Sequence, residues 1–240
     1  MARIVEYTEL AKYYDLLFSH SKDYEAESRE IRRLITKHKK TKGDALLDVG
    51  CGTGRHLLYL KRWYDCAGMD LNQEMLDIAK RAVKGVPFKR ADMMRFRTPK
   101  RFDIVTCLFS AIGYAMTYEG LDRTIRNFHS ALKPGGVLII DGWFDRKGWH
   151  SGHIDIKTVD LGRIKIARVG FSTMSGALSR FQQHWLVAEE GRGVKHFVDE
   201  QVLGLFEEGR FMDILKENGF RAEILRSPMP GRPRYLAVRQ

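Results

Sequence analysis

At 240 residues the chain has the length of one large α/β domain, or of one domain with a small appendage, and can bury roughly 70–75% of the surface its unfolded form exposes. Apolar residues at 44% and charged residues at 30% exclude a wholly disordered chain, and a formal net charge of +11 favours acidic partners. Its longest apolar stretch, Ile104 to Met116, is too short to span a bilayer. The N-terminal MARIVEYTEL places Glu6 and Glu9 where an export signal needs an unbroken apolar run. Cys51, Cys66 and Cys107 form neither a disulfide framework nor a CxxC pair, so a reducing cytoplasm is the expectation.

Taken in chain order, residues Tyr7 to Lys40 read as helical, with apolar positions at Leu10, Tyr13, Tyr14, Leu17 and Phe18 and again at Ile31, Leu34 and Ile35. The polar segment Ser19–Tyr24 interrupts them. Strands then alternate with helices. Strands suit Ala45–Val49, Cys66–Asp70, Val86–Ala91, Asp103–Leu108 and Gly136–Asp141; helices suit Gly54–Trp63, Gln73–Val83 and Leu121–Leu132. KPGG, Lys133 to Gly136, reads as a helix stop followed by a tight turn. This alternation predicts a doubly wound α/β fold, its sheet mostly parallel with helices on both faces.

From Trp149 to Leu205 the rhythm changes. His153–Val159, Arg163–Phe171, Leu178–Ala188 and Lys195–Leu205 read as successive strands without a helix between them, which predicts an inserted antiparallel β layer. A helix at Gly209–Glu217 and strands at Phe220–Arg226 and Arg234–Arg239 complete a seven-stranded sheet. The expected organisation is an N-terminal helical flap over residues 1–43, a Rossmann-like domain over 44–148 and 206–240, and a substrate layer over 149–205.

The basic excess is uneven. Nine basic residues lie between Lys80 and Arg101 against Asp92 alone, and five arginines in the last twenty residues stand against Glu223. Two readings follow, an RNA-binding surface or a solvated basic face that attracts a small anionic substrate.

The stretch richest in chemistry is LLDVGCGTG, Leu46 to Gly54. A strand ends in Asp48, and Gly50, Gly52 and Gly54 then permit a tight turn and close ligand approach to bare backbone, at a helix N-terminus with free N–H groups. Dinucleotide-binding loops are spaced G-x-G-x-x-G; this one is G-x-G-x-G with an acid two residues before it. Asp70 ends the next strand, placed to meet ribose hydroxyls. Asp92 ends the third, placed to meet an exocyclic amine of adenine. Carboxylates at three consecutive strand ends suit a neutral or cationic nucleoside better than a pyrophosphate. For each alone the structural alternative is a cap or turn residue.

From Leu46 to Asp141 the pattern resembles the class I S-adenosylmethionine-dependent methyltransferases. The resemblance implies that Asp48 holds the methionine amino end, Asp70 the ribose and Asp92 the adenine. Leu71 and Met93 then flank the base, and Cys107–Tyr114, with Leu108, runs beneath the methyl-donor end. Gly50, Cys51, Gly52 and Gly54 form the cofactor loop, and S-adenosyl-L-methionine is the expected cofactor, with no metal.

The likeness extends to the N,N-dimethyltransferases of nucleotide-linked amino sugars. It is carried by AKYYD (Ala11–Asp15), KDYEAE (Lys22–Glu27), FDIVTCLFSAIGY (Phe102–Tyr114), LKPGGVLIIDGWF, QHWLVAE (Gln183–Glu189), LFEEGRF and GRPRYLAVR (Gly231–Arg239). It implies Tyr14 near the sugar amine, Lys22 and Tyr24 on a flap over cofactor and substrate, and Arg232 reaching the substrate pocket. The expected partner is an anionic nucleotide sugar, and a homodimer is within the family's range. One departure concerns Tyr114, which stands where the family often has histidine after SIG. A phenol of pKa about 10 is a poor base at neutral pH. If the amine must be deprotonated, solvent, Tyr14 or a histidine of the insert has to serve.

Trp143, His150 and His153 open the insert as candidate pocket residues, while Cys107 reads as a small buried hydrophobe. Three functions stay open at this point: N-methylation of a small amine, methylation of RNA or of another small-molecule N or O acceptor, and cofactor binding without catalysis. The fourth strand is followed by Leu108-Phe109-Ser110-Ala111 where many nucleic-acid amine methyltransferases carry (Asp/Asn)-Pro-Pro-Tyr, which weighs against RNA.

Overall fold

A computed structural model describes residues 3–4, 10–19, 22–226 and 231–240. The start of the first helical reading, Tyr7 to Glu9, and the centres of the Ser19–Tyr24 break and of the proline- and glycine-rich loop lie outside them.

The main sheet grows from short apolar runs. Strands β2 (Ala45–Val49), β3 (Asp65–Asp70), β4 (Phe88–Arg90), β5 (Phe102–Cys107), β6 (Leu132–Asp141), β11 (Phe220–Arg226) and β12 (Pro233–Arg239) lie in the order β4-β3-β2-β5-β6-β12-β11. All pairs from β4 to β6 are parallel, while β12 is antiparallel to both neighbours. Every residue of β5 is buried, as both faces of a central parallel strand require.

Helices α2 (Tyr24–His38) and α3 (Arg55–Leu60) place Ile31, Ile35, Leu57 and Leu60 on one side of the sheet, against Leu46, Ile104 and Ile139. On the other side, α5 (Tyr118–Ala131) and α6 (Glu208–Glu217) bring Leu121, Ile125, Phe128, Phe211 and Ile214 against Val105, Leu138 and Tyr235. Caps fix the entries: Asp23 accepts from the Ala26 N–H at 2.8 Å, Thr117 from Gly120 at 3.0 Å. Asn72, before α4 (Gln73–Ala82), accepts from Glu74 and Met75.

KPGG departs from the sequence expectation. Helix α5 ends at Ala131 and Leu132 already belongs to β6, paired with Phe102, so the motif lies inside the strand instead of before it. Gly135, at φ 76°, absorbs a register shift between Phe102 and Ile104, and Lys133 folds onto Asp103 at 2.8 Å. The irregularity is a bulge that re-aims the strand.

The second sheet has the order β1-β10-β9-β8-β7, an antiparallel meander of β7 (Ile154–Asp160), β8 (Ile164–Ser175), β9 (Leu178–Glu189) and β10 (Gly193–Gly204), with β1 (Arg3–Ile4) added parallel to β10. Helix α1 (Ala11–Phe18) lies on its inner face, where Leu10, Tyr13 and Leu17 pack against Ile166, Trp185, Val187 and Phe197. The N-terminal segment is thus built into the core of the insert. The outer face exposes Ile154, Ile156, Val169, Phe171, Leu186 and Val194.

Candidate active site

Strand order reverses at β2 and β5, since β3 and β4 lie on one side of that pair and β6 on the other. Loops leaving such a pair diverge and open a crevice at the carboxyl ends of the strands. The glycine loop after β2 and the segment after β5 are its two walls.

Gly50, Gly52 and Gly54 take φ of 70°, 52° and 78°, all in the left-handed region. Their surroundings differ. A Cβ on Gly50 would lie 2.6 Å from the Ala111 Cβ, and one on Gly54 would press on Val83 and Ala79. One on Gly52 would meet nothing within 4 Å. The loop therefore packs at its ends and leaves bare backbone open at its middle.

Carboxylates surround that opening. Asp70 accepts from the Gly52 N–H at 2.8 Å and the Asn72 N–H at 2.9 Å, which locks the carboxylate beside the loop while burial pushes its pKa up. Asp48 is buried under the loop, accepts from the Thr106 hydroxyl at 2.7 Å, and is pushed up to about 7 by burial and by Asp70 and Asp141. Asp92 accepts from the Met94 N–H at 2.8 Å two residues past β4, which ends at Arg90 instead of running up to the aspartate as expected. Leu71 stands 61% exposed, and Met93 is partly buried with its carbonyl taken by Asn127. Cys51 packs beside the loop, its thiol pushed well up by burial, and Leu108 is committed to the core on the α2 side.

The wall after β5 holds features with no sequence signal. Phe109 and Ser110 adopt φ of 54° and 65°, left-handed without being glycine, at a cost of about 1–2 kcal/mol each. The turn is held from three sides. The Phe109 N–H donates to Asp141 Oδ2 at 3.0 Å, the Ser110 hydroxyl donates to the Gly142 carbonyl at 2.7 Å, and Ala111 rests on Gly50. Asp141 ends β6 as Asp70 ends β3, a position that could have marked it in the sequence.

The N-terminal helices close over both walls. Asp15 accepts from the Thr53 hydroxyl at 2.6 Å and pairs with Arg55 at 3.0 Å, tying α1 to the glycine loop. Lys22 pairs with Glu27 at 3.0 Å and lies 3.7 Å over the Phe109 ring; Glu27 also meets His56 at 2.9 Å, and Tyr24 packs edge-on to His56. Burial holds His56 below its ordinary range. The Tyr14 ring packs at a tilt against Phe18, centroids 4.5 Å apart, within electrostatic reach of Tyr24, Tyr114 and Arg232, and burial pushes its phenol well up. Tyr114 is 40% exposed. Arg232 lies 4.3 Å over the Trp143 ring and 4.9 Å over Phe144, drawn down to about 10 by burial. Trp143 in turn donates to the Ser179 hydroxyl at 2.9 Å, which ties the pocket wall to the insert. His184 and His196 stack on the exposed outer face, away from this crevice. Among the described residues no group of three His, Cys, Asp or Glu is disposed to hold a metal, and no helix is long and apolar enough to cross a membrane.

An open glycine backbone beside one buried carboxylate, Asp48, and two partly buried ones, Asp70 and Asp92, with an exposed leucine next to it, fits a cationic nucleoside. S-Adenosylmethionine has that chemistry, carrying a sulfonium, an ammonium and ribose hydroxyls. Asp48 gives a signed test. A carboxylate raised in the folded chain contributes most to stability below pH about 4, where folded and unfolded forms are both protonated, and the contribution declines as pH rises to about 7. A cationic ligand favours the ionised form, so its affinity is expected to rise about tenfold from pH 6 to 8 and to level off above. In Asp48→Asn, calorimetric titration should find that slope abolished; an unchanged slope would remove Asp48 from the cofactor site.

The comparisons agree with this geometry. Residues 46–136 match the methyltransferase domain family. The dTDP-3-amino-3,4,6-trideoxy-alpha-D-glucopyranose N,N-dimethyltransferase of Streptomyces venezuelae is 33% identical over 95% of this chain and 97% of its own. The crystal structure of DesVI from Streptomyces venezuelae superposes with a TM-score of 0.90 at 30% identity, covering 99% of this chain and 100% of that one. The structure of CalS10 with bound S-adenosylmethionine, an amino pentose methyltransferase from Micromonospora echinaspora, gives 0.86 at 27% identity, covering 95% and 96%. With its fold, glycine loop and whole-length likeness together, the chain belongs to the S-adenosylmethionine-dependent methyltransferases, in the family that includes the dTDP-amino-sugar N,N-dimethyltransferases.

Proposed function

We propose that this enzyme N-methylates the amine of a nucleotide-linked amino sugar in the cytoplasm. The observation that carries the reading is the likeness to dTDP-amino-sugar N,N-dimethyltransferases over 95% of the chain, which includes the inserted sheet that cofactor binding alone does not require.

S-Adenosylmethionine supplies the methyl group and departs as a neutral thioether, so the leaving side needs no acid. The chain's own residues supply position and exclude water. Asp48, Asp70 and Asp92, with Gly50, Cys51, Gly52, Gly54, Leu71, Met93, Leu108 and Tyr24, line the cofactor side in this reading. Residues 1–43 close over the crevice and residues 149–205 form its substrate wall. Tyr14 stays a neutral phenol at neutral pH, since burial raises it, and so orients the amine by a hydrogen bond without taking its proton. Tyr114 and Arg232 complete the substrate side. The amine enters as the free base.

Mass spectrometry after incubation with S-adenosylmethionine and a panel of thymidine-diphosphate amino sugars tests the reading. A gain of one or two methylene equivalents supports it; no gain despite cofactor binding rejects this substrate class.

The outer face of the inserted sheet supports the homodimer. Ile154 lies opposite Phe171 and Ile156 opposite Val169, and Leu186 continues the apolar surface. Four strands at about 4.8 Å spacing and up to 12 residues long offer roughly 600–800 Å² per subunit, the scale of a stable interface. Phe171→Asp is expected to turn a dimer into a monomer in sedimentation velocity; a monomeric unsubstituted protein would exclude the homodimer.

A further inference from the structure

Lys22, Glu27 and His56 are buried together where α2 and α3 meet, with 8%, 12% and 8% of their side-chain surfaces exposed. One carboxylate oxygen joins the other two groups. Glu27 Oε2 lies 2.9 Å from His56 Nε2 and 3.0 Å from the Lys22 ammonium. Burial alone would push the Glu27 carboxyl up, yet the His56 hydrogen bond and Lys22 hold it below its usual range. It stays ionised and only accepts, so His56 Nε2 is the donor. Burial keeps this imidazole below its ordinary range and hence neutral at neutral pH. A neutral donor lets the single charges of Lys22 and Glu27 cancel, where a third charge would be left unpaired.

The three groups come from separate segments. His56 is the second residue of α3, the helix that leaves the glycine loop, Glu27 stands in the first turn of α2, and Lys22 precedes the Asp23 cap. The Lys22 ammonium lies 3.7 Å over the ring of Phe109 and 4.9 Å over that of Tyr24. Tyr24 in turn packs edge-on to His56, centroids 5.0 Å apart. Phe109 is the left-handed residue of the opposite wall, its N–H held by Asp141 and its ring edge-on to Phe18 of α1. A continuous line of contacts thus runs from the helix of the glycine loop, through Glu27 and Lys22, to the wall after β5. Both helices are anchored apart from it, α2 by Ile31, Ile35 and the Asp23 cap, α3 by Leu57 and Leu60. Charged groups buried beyond what helix packing requires fit a part that fixes geometry.

We propose that His56 and Glu27 are positioning residues of this enzyme: His56 fixes Glu27, Glu27 fixes Lys22 on Phe109, and the two walls of the crevice are thereby held at the spacing the cofactor needs. His56 and Glu27 act through Lys22 and Phe109, without touching the ligand. This rests on the assignment of the glycine loop to the cofactor.

The test is calorimetric titration of S-adenosylmethionine into the full chain, unsubstituted and substituted. His56→Leu and Lys22→Met are each expected to bind about tenfold more weakly, because the wall they set is displaced. His56→Gln, whose amide N–H can replace that of Nε2, should bind within about threefold of unsubstituted protein. The double variant His56→Leu/Lys22→Met should lose no more than about threefold beyond either single one, where independent residues would multiply to about 100-fold. Glu27→Gln removes the charge at nearly constant volume; it is also expected to bind about tenfold more weakly, and it carries the test if His56→Leu does not fold. Unsubstituted affinity in His56→Leu or Glu27→Gln, His56→Gln as weak as His56→Leu, or multiplying losses in the double variant would overturn the proposal. Asp70→Asn is expected to bind at least about tenfold more weakly as a check on the crevice itself. A loss in Asp70→Asn with none in His56→Leu overturns the positioning role alone; normal binding in both overturns the cofactor assignment as well.

Discussion

Arg234→Met is expected to lose about 3–5 kcal/mol of folding stability, the scale for removing one partner from a buried ion pair. Arg234 has no exposed surface. Its Nε donates to Asp141 Oδ1 at 2.6 Å and its Nη1 lies 3.1 Å from Glu30. Asp141 is equally buried and spends its other oxygen on the Phe109 N–H. Without the guanidinium, the buried Asp141 carboxylate would lose its ion-pair partner within reach of Asp48, and the left-handed Phe109–Ser110 turn would keep its Asp141 anchor but lose the cation that holds that anchor in place. For a chain of this size, roughly 2–4 °C of melting temperature per kcal/mol predicts a fall of roughly 6–20 °C. The double variant Arg234→Met/Asp141→Leu should recover part of that loss, because no unpaired charge is left. A melting temperature within about 2 °C of the unsubstituted protein for Arg234→Met alone would show that the pair contributes little.

The second large effect separates two glycines of one loop. Gly50→Ala combines a left-handed backbone with a methyl group 2.6 Å from the Ala111 Cβ, and is expected to cost about 2–5 kcal/mol from the two sources together. Gly52→Ala meets no neighbour, so it should cost only the backbone penalty of about 1–2 kcal/mol. Its methyl group would instead project over the open backbone assigned to the cofactor. Gly50→Ala is therefore expected to lower both melting temperature and activity. Gly52→Ala should fold and yet bind S-adenosylmethionine at least about 100-fold more weakly, the scale of about 2.7 kcal/mol. Thermal melts and calorimetric titration of both variants check this. Normal cofactor affinity in Gly52→Ala would mean that the ligand does not lie over the loop.

Much of the fold was legible because its signals are local. ALLDV and FDIVTC are apolar runs that only strands buried on both faces require, and β2 follows the expected Ala45–Val49 residue for residue. The insert was legible from four strand patterns with no helix between them. KPGG was misread because the same glycine that ends helices, Gly135 at φ 76°, also permits a bulge, and local sequence does not separate the two. Asp48, Asp70 and Asp92 stood out because strand-end acids in a parallel fold gather at one sheet edge. Asp15, Phe109 and Ser110 did not. Asp15 meets Thr53 across 38 positions, Phe109 meets Asp141 across 32, and a left-handed phenylalanine has no sequence signature.

A single competition measures the central claim most directly. The enzyme is incubated with methyl-labelled S-adenosylmethionine and, together, a thymidine-diphosphate amino sugar, the same sugar without its nucleotide, and an RNA. Label is predicted in the nucleotide sugar, on nitrogen, with little in the other two. Label in the RNA, or in none of the three while the cofactor binds, would contradict the account.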